Sequence, residues 1–131
     1  MSRIILNQEE QPIGTINLFD MAYERGFLGT WLGKEFQGKG YNQLAKLQFL
    51  TEVFTTSDVS SVLMSIRKIN IGSQKAAAKL PYVTIASDQS RRIFEAINPT
   101  SDQFELFEIG QSNFFDYVVM KQEQMNVQQI V

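Results

Sequence analysis

The chain contains neither cysteine nor histidine. Together these absences exclude disulfides, thiolate or imidazole metal sites, Ser-His-Asp triads and Cys-His nucleophiles. Any chemistry must come from carboxylates, hydroxyls, amines and backbone dipoles, and no metal site is expected. Long apolar runs are missing as well. None approaches the roughly 20 residues of a membrane span, and Met1-Ser2-Arg3-Ile4-Ile5-Leu6-Asn7 is too short and too soon interrupted for a secretory signal. An excess of positive charge is also lacking. The net charge is -2 and the pI about 5.1, so neither nucleic acid nor a membrane surface is expected as a partner. Anion binding, if present, must be local. A cytoplasmic location is expected.

What is present suffices for a single packed domain over residues 1–131. The apolar fraction is 44% with ten phenylalanines, which argues against a disordered chain. Arg3–Leu6 and Ile13–Phe19 read as strands joined by a polar turn, and 26–33 as a third, apolar enough to be central. Tyr41–Phe54 carries apolar residues at 41, 44, 45, 47, 50, 53 and 54, a helical spacing, and Thr55–Asp58 stops it. Ser61–Ile66 reads as a strand, Gly72–Leu80 as a helix ended by Pro81, and Tyr82–Ala86 as a strand. Further on, 90–97 reads as a short helix capped by Asp88 or Ser90. Phe104–Ile109 and Phe114–Met120 read as a closing pair of strands, and the Gln-rich tail 121–131, which shows no core face, is expected to fray. The order βββ–α–β–α–β–(α)–ββ makes a mixed α/β domain around one sheet.

The most informative stretch is Thr30-Trp31-Leu32-Gly33-Lys34-Glu35-Phe36-Gln37-Gly38-Lys39-Gly40-Tyr41-Asn42. An apolar strand runs into a glycine-punctuated basic turn that opens directly onto a helix. Two glycines let amides converge on an oxyanion, and the helix start adds the favourable end of its dipole, which suits a phosphate or pyrophosphate. A plain strand-to-helix turn with a solvated Lys39 is the alternative.

In this order and in three motifs the chain resembles the GCN5-related N-acetyltransferases, the GNAT superfamily. Within that superfamily it resembles the branch acting on ribosomal-protein N-termini and related amines. Gln37-Gly38-Lys39-Gly40-Tyr41-Asn42 is similar to the pyrophosphate signature, Gly29-Thr30-Trp31-Leu32 to the strand before it, and Asn70-Ile71-Gly72-Ser73 with Lys79-Leu80-Pro81-Tyr82 to Asn-x-x-Ser…Lys-Leu-Gly-Phe/Tyr. The likeness covers residues 3–86 well and the last third poorly. Asn42 stands where the family has a small residue, and Pro81 where it has Gly. The family's opening strand and two helices, which wall the acceptor site, have no counterpart before the first strand, so an N-terminally truncated form is expected, completed by a homodimer partner.

The resemblance implies a GNAT-like, mostly antiparallel sheet flanked by helices, with acetyl-CoA as co-substrate. It places Trp31 and Leu32 along the pantetheine arm and residues Gln37, Gly38, Lys39, Gly40, Tyr41 and Asn42 around the pyrophosphate. Asn70 would bond the pantetheine amide and Ser73 would lie near the sulfur. Against these stand ordinary readings: a core strand with a buried Trp, Asn70 as helix N-cap, and Ser73 as a first-turn residue. Lys75 reads as a solvated helix residue or a contact to a CoA phosphate. The reaction implied is direct attack of a primary amine, on a small molecule or peptide, upon the thioester. Ala77 occupies the position where many members carry an acidic Tyr, leaving Ser73 as the hydroxyl for the leaving thiolate. Glu35, Asp20 and Glu24 are candidate bases by location. The rival function is an inactive acyl-CoA-binding or interaction module of the same fold. A truncated product of a longer gene is a further one.

Overall fold

The computed structural model describes residues 1–22 and 24–130, with side chains described up to residue 124. Its elements run β1 (Ser2–Leu6), β2 (Pro12–Ala22), β3 (Arg25–Leu32), a 3-10 turn (Lys34–Phe36), α1 (Tyr41–Thr56), β4 (Ser61–Arg67), α2 (Ile71–Ala78), β5 (Val83–Ile85), α3 (Arg91–Ile97), β6 (Phe104–Gly110) and α4 (Gln111–Ile130). The strands make a six-stranded open sheet in the order β1-β2-β3-β4-β6-β5, with the β1–β2, β2–β3 and β5–β6 pairs antiparallel. The mixed α/β class expected from the sequence is therefore the class found. By contacts the chain divides into two compact units, Met1–Val62 and the residues from Leu63 onward.

In the first unit the β1–β2 turn is built by Asn7, whose Oδ1 accepts from Glu9 N at 3.0 Å and Gln11 N at 2.9 Å. The Leu18 amide donates to Met1 O and the Asn7 amide to Gln11 O. Odd-numbered residues of β1 thus turn their backbone groups toward β2, and Ser2, Ile4 and Leu6 turn theirs away. The buried Ile5, Ile16, Leu18 and Leu28 meet Phe49, Leu50, Val53 and Phe54 of α1 in an apolar core, and Arg3 on β1 pairs with Glu52 on α1. Lys46, one turn before Phe49 and Leu50, is partly buried with no ion-pair partner among the described residues, and desolvation lowers its pKa from the ordinary lysine value. Ser57 ends the helix, its Oγ donating to Val53 O at 2.6 Å.

In the second unit Asn70 caps α2 by accepting from Ser73 N at 3.1 Å. Asn98 is buried and works as a four-way bracket after α3. Its Nδ2 donates to Phe94 O and Phe104 O, and its Oδ1 accepts from Gln103 N and Phe104 N. Ser90 holds the N-cap place of α3 without a side-chain capping bond.

One expectation fails. Phe114–Met120 is not a strand but the first turns of α4. Phe114 is fully buried, with its ring centroid 5.2 Å from that of Tyr82, and Tyr117, three residues on, lies 5.1 Å from the same ring. That i, i+3 pair can clasp one aromatic only from a helix. Burial pushes the Tyr82 hydroxyl up to about 12, with Tyr117 adding to the shift. Because α4 runs to Ile130, the expected fraying falls largely on the side chains of 125–130 and on Val131, which lie outside the described residues.

Candidate functional site

The turn between β3 and α1 is held at both ends by its own residues. The Gly33 amide donates to Ile13 O at 2.9 Å, anchoring the exit of β3, and Phe36 N and Gln37 N close the 3-10 turn onto Gly33 O and Lys34 O. The Gln37 side chain reaches back to donate from Nε2 to Leu32 O at 3.1 Å. The Phe36 ring meets Tyr41 edge to face, with centroids 6.2 Å apart. These contacts fix the loop on either side of Gly38-Lys39-Gly40.

Between them the backbone is left-handed at both glycines, with φ of +74° at Gly38 and +87° at Gly40. Gly40 is also the N-cap of α1 and offers no side chain to its first turn. Leu44 N finds Gly40 O, but the amides of residues 38, 39, 40, 41, 42 and 43 have no hydrogen-bond acceptor among the described residues. Six consecutive N–H groups, three in the loop and three at the head of a helix, thus stay open. They carry the partial positive charge of the helix start and stand beside the exposed ammonium of Lys39. No atom lies within 4 Å of where a Cβ would project from Gly38 or Gly40, so nothing of the protein covers the loop at these points. A polyanion with several acceptor oxygens fits this donor set.

Of the residues singled out from the sequence, Leu32, Gln37, Gly38, Lys39, Gly40, Tyr41 and Asn42 are gathered on this turn or its borders. Gln37 differs from its neighbours in that its own amide is engaged by Lys34 O. Asn42 brings a buried Oδ1 that meets no donor, a condition that ordinarily costs about 1–3 kcal/mol. Trp31 is not a core residue: it is 63% exposed. It lies on the outward face of β3, in a cross-strand row with Thr15 and Ile4. Glu35 sits exposed in the 3-10 turn. Asp20 and Glu24 are exposed in the β2–β3 hairpin, each with positive φ, and the Glu24 carbonyl accepts from Ser60 N.

In the second unit Asn70 and Ser73 stand at the head of α2. The Asn70 Oδ1 is engaged in capping, which leaves its Nδ2 and the exposed Ser73 hydroxyl unbonded within the described residues. Ala77 is buried, and Lys75 is exposed. Among the described residues no cluster of three or more carboxylates could hold a metal ion, and no helix is long and apolar enough to cross a membrane. Sequence reasoning missed the Gln37 side-chain tie and the Phe36–Tyr41 contact. The aromatic pair flanking Gly38-Lys39-Gly40 was the available signal.

Residues 2–83 match the family model described as an acetyltransferase (GNAT) domain. None of the curated proteins matches the sequence. Solved structures share the fold. One is a chimera of the Vibrio cholerae spermidine N-acetyltransferase SpeG with hSSAT, at TM-score 0.69 and 15% identity, over 87% of this chain and 68% of that one. Another is FdhC, a nucleotide-linked sugar GNAT, at TM-score 0.72 and 18% identity over 92% and 62%. A third is a GNAT-family acetyltransferase from Bacillus anthracis, at 0.64 and 17% over 82% and 64%.

Proposed function

The chain belongs to the acetyltransferase (GNAT) domain family, and from that premise we propose that it transfers acetyl from acetyl-CoA to a primary amine. The six open amides at the Gly38–Gly40 turn are the observation that carries this reading. They offer N–H donors to the anionic oxygens of a CoA pyrophosphate, with Lys39 adding charge. Trp31 and Leu32 on β3 supply backbone for the pantetheine arm. Nδ2 of Asn70 and the Ser73 hydroxyl are the free polar groups that α2 offers to the amide and sulfur. The amine attacks the thioester directly. Its proton passes to a base, for which Glu35 is our candidate, and Ser73 protonates the departing thiolate. An amine must be neutral to attack, so turnover should rise with pH until the acceptor is unprotonated.

The acceptor is a small-molecule or peptide amine. SpeG and FdhC are described as acting on a polyamine and a nucleotide-linked sugar, and the sequence likeness to the ribosomal-protein branch adds N-terminal peptides to the field. A homodimer in the cytoplasm is part of this reading.

A second reading, an acyl-CoA-binding module without turnover, is favoured by Ala77. That helix position is buried and carries no acidic group. Calorimetry with CoA and acetyl-CoA, followed by thiol release on spermidine, amino-sugar nucleotides and N-terminal peptides, separates the two. Binding with release on one amine class is expected for the enzyme. Binding without release on any of them selects the module, and no binding at millimolar ligand rejects both.

A further inference from the structure

Helix α1 buries Phe49, Leu50, Val53 and Phe54 in the core of the first unit. With 3.6 residues per turn these four side chains define one face, and its centre line runs back through position 46. That position holds a lysine. Lys46 stands three residues before Phe49, four before Leu50 and seven before Val53, so its stem leaves the helix on the apolar side.

A lysine so placed is ordinarily paired. Lys46 has neither an ion pair nor a hydrogen bond among the described residues. The charges of the surrounding elements are committed or stand away from it. Arg3 of β1 is tied to Glu52, and Asp20 and Arg25 sit at the hairpin ends of β2 and β3. Lys34, Glu35 and Lys39 are exposed on the turn. Burial is accordingly the cause of its lowered pKa, with no neighbouring charge contributing.

Side chains on an α-helix lean toward its N-terminus, over the residue one turn back. For Lys46 that residue is Asn42, whose buried Oδ1 meets no donor. An acceptor without a donor and a cation without an anion thus share one face of α1, a turn apart. Around Asn42 and N-terminal to it stand the open amides of the Gly38–Gly40 turn. The dipole at a helix head disfavours a cation in the free protein. The same place becomes favourable once an anion fills it.

We propose that Lys46, bracketed by Asn42, is a second cation of the phosphate site, meeting the bound polyanion from beneath the helix head while Lys39 meets it from solvent. The inference rests on the acetyl-CoA reading above and adds a binding residue outside the glycine motif. Asn42 Oδ1 accepts one N–H of the ammonium and a phosphate oxygen accepts another, so both unpaired groups are satisfied together. Buried without an anion, Lys46 holds its proton weakly; beside a diphosphate it holds it firmly. Binding therefore draws a proton from solvent onto Lys46 at any pH between the free-state and bound-state values. Affinity is full below that window and falls as pH climbs through it.

Calorimetry of acetyl-CoA in buffers of different ionisation enthalpy, stepped from neutral pH to the ordinary lysine value of 10.5, counts the protons taken up. Acetyl-CoA has no free thiol to titrate, and its phosphates stay ionised over this range. Wild type should take up a fraction of a proton as pH rises. Lys46→Met, similar in length but uncharged, should show no such uptake and bind about ten- to a hundredfold more weakly near neutral pH. It should melt no lower than wild type, because an unpaired buried charge has gone. Lys46→Arg, charged at every pH used, should bind more tightly than Lys46→Met and also without uptake. Lys39→Met should weaken binding but keep the uptake. Wild-type binding without uptake at any pH, uptake that persists in Lys46→Met, or a Lys46→Met that binds as tightly as wild type would each overturn the assignment and leave the cofactor reading standing. So would a Lys46→Met that melts well below wild type, since the ammonium would then be bonded within the fold. No binding of acetyl-CoA by wild type at millimolar ligand would reject the cofactor reading, and this inference with it.

Discussion

A pair of substitutions at Gly40 should move stability and CoA affinity in opposite directions. Asn and Asp have nearly the same shape, and both tolerate the left-handed backbone that Gly40 adopts at φ +87°. Neither meets a protein atom within 4 Å at its Cβ. They differ in one charge, placed at the N-cap of α1 among the open amides. In the free protein Gly40→Asp supplies an anion to the helix start, worth about 0.3–1 kcal/mol relative to Gly40→Asn, or a few degrees in Tm for a domain of this size. In the complex the same carboxylate faces a diphosphate. At an effective permittivity of about 20 and a separation of about 8 Å, each pair of unit charges costs about 2 kcal/mol, and tenfold in Kd is about 1.4 kcal/mol. Gly40→Asp should therefore bind CoA at least tenfold more weakly than Gly40→Asn while melting at the same temperature or higher. Gly40→Ala, which carries the left-handed penalty of roughly 1–2 kcal/mol without the charge, should lose stability. Calorimetry with CoA and thermal melts at one ionic strength read all three. Equal dissociation constants for the Asn and Asp variants would refute the argument, because the anion would then sit away from the amides.

Asn98→Ala should cost about 1–3 kcal/mol, because it removes four hydrogen bonds and takes the Asn98 side chain from both N and O of Phe104, while Phe94 O keeps the Asn98 amide and Gln103 N keeps Ser101 O; denaturant melts showing no loss would contradict the bracket. The raised Tyr82 pKa sets an alkaline limit. Between pH 10 and about 12 the unfolded phenol ionises while the folded one keeps its proton, so its contribution is intact below pH 10 and about 2–3 kcal/mol is lost as pH climbs through 12. Tyr82→Phe should flatten that part of the stability–pH curve, and an unchanged slope would show that the loss arises elsewhere.

How much of this could be seen in the sequence depends on how local each cause is. The spacing of α1 sits within one helix, and Asn70 caps three residues downstream, so both are written in short windows. Gly38 and Gly40 announce a turn because left-handed backbone favours glycine. Phe114–Met120 misleads for the opposite reason. Its aromatic and β-branched residues suit a strand, and Gly110–Asn113 imitates a hairpin, yet the helix is decided by Tyr82, some thirty residues away. The same holds at the site: the open amides follow from the turn's own chemistry, whereas the Gln37 tie, the donorless Asn42 oxygen and the exposure of Trp31 depend on what packs beside them.

The position of Trp31 has a practical consequence. As the only indole in the chain, and largely in water when folded, it will emit at long wavelength before and after denaturation. Intrinsic fluorescence is thus a poor thermometer of this fold. The same ring is a sensitive reporter of anything laid across the outer face of the third strand, since coverage would shift its emission to the blue.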